Sequence, residues 1–257
     1  MGAVVNICDV RAIVTGAASG IGRQFSLQLV RSGASVVAAD IDSDGLRTLA
    51  REAQGVSGRL VTTQIDVTRE DEVKAAVEDA LDRFDRLDTL VNCAGVLRDG
   101  LLVAPEEQWV RKLPTAQWKA VIDTNLTGPY LMAREVAAAM LRCSVLSGLI
   151  VNVSSVTSKG NPGQSNYSAS KAGLDALTRT WALELAPHSI RVAGIAPGIT
   201  DTPMLATMSA EQRERLLSQV PLGRVATTEE LWLALEFIIK CDYFTARVIE
   251  IDGGATF

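Results

Sequence analysis

Apolar positions along this chain fall into short, nearly unbroken runs separated by longer amphipathic stretches. Runs of strand length occur at Ala12–Thr15, Ser35–Asp40, Leu60–Asp66, Thr89–Asn92, Leu149–Ser154, Arg191–Ile195 and Val248–Ile251. Most are continuously apolar rather than alternating, as required of strands covered on both faces. Between them the spacing changes to a helical period, over Arg23–Arg31, Glu70–Phe84, Thr115–Met140, Ser165–Leu185 and Glu229–Ile239. Gly128-Pro129 should disturb the third of these, and Thr227 or Thr228 should cap the last. The alternation predicts an α/β fold, a doubly wound parallel sheet of about seven strands with helices on both faces and right-handed crossovers. No repeat or flexible linker interrupts residues 1–257, so one domain is expected.

Two segments break the rhythm. Leu97 to Pro114 is longer than an ordinary strand–helix loop and reads as a surface excursion. Ala196 to Leu222 carries Pro197, Gly198, Thr200, Thr202 and Pro203, then a short amphipathic stretch from Ser209 to Gln219. Ligands of such sheets bind outside the carboxyl ends of the strands, where both segments fall.

Composition narrows the function. The formal charge is -5 and no basic cluster appears, which argues against a nucleic-acid partner. Cys8, Cys93, Cys143 and Cys241 match no metal spacing and read as reduced thiols of a cytoplasmic protein, with no metal expected. No apolar run approaches bilayer length, so no membrane association is expected. The single histidine, His188, follows Pro187 at a helix end; without a G-x-S-x-G elbow it does not make a serine hydrolase.

The chemistry begins after the first strand. Gly16-Ala17-Ala18-Ser19-Gly20-Ile21-Gly22 lies between a strand and a helix. Glycines there let backbone approach a pyrophosphate, and the helix terminus offers free N–H groups. The second strand ends at Asp40, placed to accept hydrogen bonds from an adenosine ribose. Its charge would repel a 2′-phosphate, and neither Ser19 nor Ile41 supplies a cation, so the expected cofactor is NAD. Further on, Tyr167 and Lys171 stand four residues apart on a helical segment, hence on one face. The ammonium should lower the tyrosine pKa and let the phenol exchange a proton with an alcohol oxygen.

Taken together and in order, these motifs resemble the short-chain dehydrogenase/reductase family in its single-domain, Rossmann-like form, over essentially the entire chain. Thr15 to Gly22 is similar to its cofactor loop, with Gly16, Ser19, Gly20, Ile21 and Gly22 at the phosphates. Asp66 and Val67 sit where the family contacts adenine, and Ile41 follows the ribose acid. Asn92-Cys93-Ala94-Gly95 resembles its Asn-Asn-Ala-Gly motif, with Cys93 replacing the second Asn; Asn92, Ala94 and Gly95 are the implied cofactor positions. Asn125 matches the catalytic asparagine. Tyr167 and Lys171 match the Tyr-x-x-x-Lys pair and also touch cofactor. Pro197, Gly198, Thr200 and Thr202 match the segment that closes over the nicotinamide. The catalytic serine is Ser154 by separation from Tyr167 and Ser155 by the strand pattern; Ser155 is favoured, because loops absorb a deletion more easily than a strand shifts register.

The resemblance implies reversible hydride transfer between NAD(H) and a carbonyl or secondary alcohol. It implies Tyr167 as acid/base, Ser155 on the substrate oxygen, Lys171 on the nicotinamide ribose and Asn125 anchoring a relay water. Leu97, Leu101, Leu102, Trp109, Met204, Leu205 and Met208 are candidates for an apolar substrate wall. The leading expectation is an NAD-dependent alcohol dehydrogenase or carbonyl reductase acting on a small or medium apolar molecule. A 3-oxoacyl-(acyl-carrier-protein) reductase is the alternative: the second half most resembles those enzymes, but they commonly prefer NADPH. A non-catalytic NAD(H) sensor would keep the glycine loop and Asp40 without needing Asn125, a strand-end serine, Tyr167 and Lys171 together. A homotetramer is implied by the resemblance.

Overall fold

In the computed structural model, which describes residues 5–206 and 210–255, strand β1 (Arg11–Thr15) lies at the middle of the sheet. The other strands are β2 (Ser35–Asp40), β3 (Arg59–Gln64), β4 (Thr89–Asn92), a small hairpin of β5 (Val103–Pro105) and β6 (Val110–Lys112), then β7 (Gly148–Val153), β8 (Ile190–Pro197) and β9 (Val248–Ile251). Seven of them form one parallel sheet in the order β3-β2-β1-β4-β7-β8-β9. This is the doubly wound Rossmann-like arrangement the apolar runs foretell. Strand order reverses between β1 and β4, which opens a crevice at their carboxyl ends.

Successive residues of β1 show why its apolar run is continuous. Ala12 and Val14 join one core layer, with Phe25, Leu29, Leu235 and Ile238; Ile13 joins the other, with Val73, Val77, Val136 and Met140. The first layer is closed by helices α1 (Gly20–Arg31), α2 (Ser43–Glu52) and, later in the chain, Thr228–Lys240. The second is closed by α3 (Glu70–Phe84) and by the segments that follow β6 and β7.

After β6 the chain runs through α4 (Thr115–Ile122), a π-helical turn at Asp123–Thr127 and α5 (Gly128–Arg142). The disturbance expected at Gly128-Pro129 is therefore an extra residue wound into the helix just before it. Pro129 has no N–H, so a carbonyl of this turn loses its helical donor. α6 (Ser165–Leu185) follows β7, and α7 (Pro203–Ala206) and α8 (Ala210–Leu217) follow β8. The final helix, α9 (Thr228–Lys240), begins with a capping box in which Thr227 Oγ1 accepts from Glu230 N–H and Glu230 accepts from Thr227 N–H.

The excursion from Leu97 to Pro114 holds the β5–β6 hairpin, not a structureless loop. Val103, Trp109 and Val110 on it are exposed. The predicted Ser209–Gln219 stretch is α8 from Ala210 onward; Met208 and Ser209 lie outside the described residues. α2, unforeseen, is short and largely polar, and starts where Asp42 accepts from the N–H groups of Asp44 and Gly45. Among the described residues no helix is long and apolar enough to cross a membrane.

Candidate active site

A cleft of about 660 Å3 crosses the carboxyl end of the sheet, lined by residues from both sides of the β1/β4 switch. That is ordinary for a cofactor or small-molecule site. One end is built by the glycine loop. Gly16 takes φ +65°, and a Cβ there would lie 2.8 Å from Ala94 backbone; a Cβ on Gly22 would lie 2.3 Å from the Gly16 carbonyl oxygen. Ser19 precedes α1 without a side-chain cap, so the first-turn N–H groups have no acceptor from it. These residues fit the pyrophosphate of a dinucleotide: a close backbone approach at a helix terminus.

Beyond the loop lie Asp40, Ile41, Asp66, Val67 and Thr68. Asp40 Oδ2 accepts from Ala18 N–H at 2.9 Å, and Oδ1 from Asp42 N–H at 2.9 Å, so the carboxylate is fixed at the rim. Asp66 Oδ1 accepts from both the N–H and the hydroxyl of Thr68. Among the described lining residues the only cation is Lys171, at the other end. An adenosine ribose fits here as a diol, whereas a 2′-phosphate would face carboxylates.

The floor is tied together by buried polar groups. Thr15 Oγ1 accepts from the N–H groups of Cys93 and Ala94, joining the ends of β1 and β4. Asn92 Nδ2 donates to Asn152 Oδ1, and Asn152 Nδ2 to Thr178 Oγ1, continuing the chain through β7 to α6. Cys93 meets Thr15 through its backbone N–H, while burial pushes its thiol up to about 12.

The other end of the cleft carries the residues expected to act as acid and base. Asn125, fully buried in the π-turn, accepts from Val96 N–H at 2.8 Å and donates to Val96 C=O at 3.0 Å. Tyr167 is the third residue of α6, and Lys171 follows one turn later with its ammonium 5.6 Å from the centre of the tyrosine ring. Lys171 Nζ donates to Val153 C=O at 2.7 Å. The two serines part company as neighbouring extended residues must. Ser154 Oγ points to the Lys171 carbonyl at 3.4 Å, whereas Ser155 Oγ pairs with Thr157 Oγ1 at 3.0 Å, accepts from Thr157 N–H at 3.2 Å and lies on the side of the Tyr167 phenol, whose pKa it pulls down. Pro197, Gly198, Thr200 and Thr202 line the cleft from the end of β8, held by Gly198 N–H to Ile251 C=O and by Thr200 Oγ1 to Gly198 C=O.

Electrostatics here differ from the sequence-based expectation. Burial pushes Tyr167 up to about 12, against a downward pull from the Ser155 hydrogen bond. Burial brings Lys171 down to about 8. Desolvation, not the neighbouring ammonium, decides the sign for the phenol. In the cofactor-free protein Tyr167 is a protonated acid at neutral pH.

Several positioning residues went unforeseen. Asn166, fully buried, donates through Nδ2 to the carbonyls of Arg98 and Gln117 and accepts from Tyr167 N–H. Ser170 Oγ donates to Tyr167 C=O at 2.7 Å. Their only sequence signal is a polar side chain on the inner face of a helix beside an acid–base pair.

Comparison with known proteins adds the following. The model of the short chain dehydrogenases matches residues 10–213. A 3-oxoacyl-(acyl-carrier-protein) reductase of Thermotoga maritima is 42% identical over 245 residues, covering 94% of this chain and 96% of its own. Its namesake in Staphylococcus aureus is 38% identical over 252 residues, covering 95% and 96%. A crystal structure of a short-chain type dehydrogenase/reductase from Mycobacterium marinum superposes with a TM-score of 0.89 at 31% identity, covering 99% of both chains.

Proposed function

The chain belongs to the short chain dehydrogenase family and is an oxidoreductase with a nicotinamide cofactor; from that premise we propose that it reduces a 3-oxoacyl thioester with NADH. The preference for a general alcohol dehydrogenase, formed from the sequence, gives way here. Relatives matching nearly the full chain are named as 3-oxoacyl-(acyl-carrier-protein) reductases, so a carrier-protein thioester is the proposed substrate.

The observation that carries the reading is the half-buried phenol of Tyr167 at one end of the cleft, with Lys171 one turn along the helix and Ser155 beside it. A carbonyl that accepts hydride needs a proton on its oxygen, and a neutral phenol in the cleft can give one. Ser155, beside that phenol, donates a hydrogen bond to the same oxygen and stabilises its developing charge. When bound, the nicotinamide supplies the hydride. Lys171 spends one N–H on Val153 C=O and has two left, enough to hold ribose hydroxyls and pass a proton towards Tyr167. Asn125 keeps the Val96 backbone fixed and lies where a relay water would connect to Lys171. The cofactor assignment rests on Asp40, on Asp66 and on the lack of a cation near either among the described lining residues. The assembly is proposed as a homotetramer; exposed Trp118, Tyr130 and Leu183 are candidates for buried contacts in it.

The test is the loss of reduced-nicotinamide absorbance with acetoacetyl thioesters and with simple ketones, NADH and NADPH being supplied separately. Turnover with NADH and the thioester supports the reading, and turnover confined to the simple ketones overturns it. The second reading, an NAD-dependent alcohol dehydrogenase, is favoured by the apolar walls from Val96, Leu97, Val156, Leu205 and Leu216.

A further inference from the structure

The loop after β4 is fastened to the start of α6 at three consecutive residues. Arg98 C=O accepts from Asn166 Nδ2 at 2.9 Å, Asp99 Oδ2 accepts from Gln164 Nε2 at 3.1 Å, and Gly100 N–H donates to Gly163 C=O at 2.8 Å. Gln164 is itself buried, and its Oε1 accepts from Asn161 Nδ2 at 3.0 Å. A carboxylate only accepts, so Asp99 fixes which way the Gln164 amide faces, and that in turn fixes Asn161. Gln164 C=O accepts from Ser168 N–H at 2.7 Å, which makes it part of the first turn of the catalytic helix. Gln164 stands three residues before Tyr167 and lines the same cleft, so Asp99 is a carboxylate hydrogen-bonded to the head of the helix that carries the phenol.

We propose that Asp99 is a positioning residue for the acid: its charge, held by Gln164 at the head of α6, favours the protonated phenol of Tyr167. The reaction in the reductive direction consumes that proton, so a carboxylate here extends the pH range over which the acid stays loaded. The other ionisable groups around the phenol are Lys171 on its own helix, Cys93 at the end of β4 and Asp123 in the π-turn, which lines the same cleft. Lys171 opposes Asp99 while it is charged, and Cys93 stays neutral. The direction agrees with the upward pull that Asp99 exerts on Tyr167. Asp99 keeps its own solvent contact, so its effect is a tuning of the phenol, smaller than that of burial.

The chain has three tyrosines, which makes a direct readout simple. Biosynthetic incorporation of fluorotyrosine lowers every phenol pKa, and the fluorine signals of Tyr130, Tyr167 and Tyr243 are followed against pH. Tyr167→Phe assigns the signal. Asp99→Asn should lower the Tyr167 midpoint by about half a pH unit, a roughly threefold change in the phenolate to phenol ratio at fixed pH. Asp99→Glu should restore it, and the signals of Tyr130 and Tyr243 should not move. Asp99→Ser gives a second neutral variant, expected to shift as Asp99→Asn does. A Tyr167 midpoint unmoved in both neutral variants, with the other two signals native, overturns the proposal. The titration uses no substrate, so it stands apart from the thioester assignment on which the reductive benefit rests.

Discussion

Asn125 and Val96 exchange two hydrogen bonds, side-chain amide to backbone in both directions, at 2.8 and 3.0 Å. The pair joins the π-turn to the loop that follows β4 along the cleft. Asn125→Ala would leave a buried N–H and C=O of Val96 unpaired. The expected loss is about 2–4 kcal/mol of stability, read by urea denaturation, together with a fall in turnover. Unchanged stability would show that Val96 finds other partners.

Tyr167→Phe removes the proton donor and keeps the ring. Turnover should fall by roughly a hundredfold or more, while dinucleotide affinity, measured by calorimetric titration, stays near that of the parent. Normal turnover in this variant removes Tyr167 from the mechanism.

Gly22→Ala places a methyl 2.3 Å from the Gly16 carbonyl oxygen, backbone that has no room to retreat. The loop must open, so dinucleotide binding should be lost and the melting temperature lowered. Tight cofactor binding by this variant would mean that the pyrophosphate lies elsewhere.

Asp40→Ala should narrow the preference for NADH over NADPH, seen as a drop in the KM for NADPH. It also frees the N–H groups of Ala18 and Asp42, at a cost of about 2 kcal/mol. A parent protein that already prefers NADPH contradicts the role given to Asp40.

Lys171 gives a pH signature of stability. Burial lowers it to about 8 in the folded chain from an ordinary value of 10.5. Between those values the unfolded chain binds more protons than the folded one, so folding strengthens as pH rises through the window. Below about 8 both states are charged and the burial penalty is paid in full. Relative to Lys171→Met, the parent should gain about 2–3 kcal/mol between pH 8 and 10.5. A constant difference across that range means the ammonium is not desolvated.

Much of this molecule is legible in its sequence for identifiable reasons. The seven parallel strands announce themselves because both their faces are covered, as Ala12 and Ile13 in adjacent core layers show. The glycine loop is legible because a Cβ at Gly16 or Gly22 collides with backbone, leaving no freedom in residue type. The hairpin at 103–112 was not, since exposed Val103, Trp109 and Val110 leave no apolar face to set a period. Nor was the sign of the Tyr167 shift. Spacing says that Lys171 is near, but burial is a property of the whole fold. Asp99 was invisible for the same reason, lying 65 residues from Gln164 in the chain.

Strand order has a consequence for biosynthesis. β1 pairs with β4 in register from Ala12 opposite Thr89, and the segment between them makes the neighbours on the other side. A ribosome that has released the chain only through β3 has delivered the glycine loop, yet not the surface that faces it. Loop closure over so many residues is slow. A nascent chain therefore gains the ability to hold a nucleotide late, and a fragment ending before residue 89 should never acquire it.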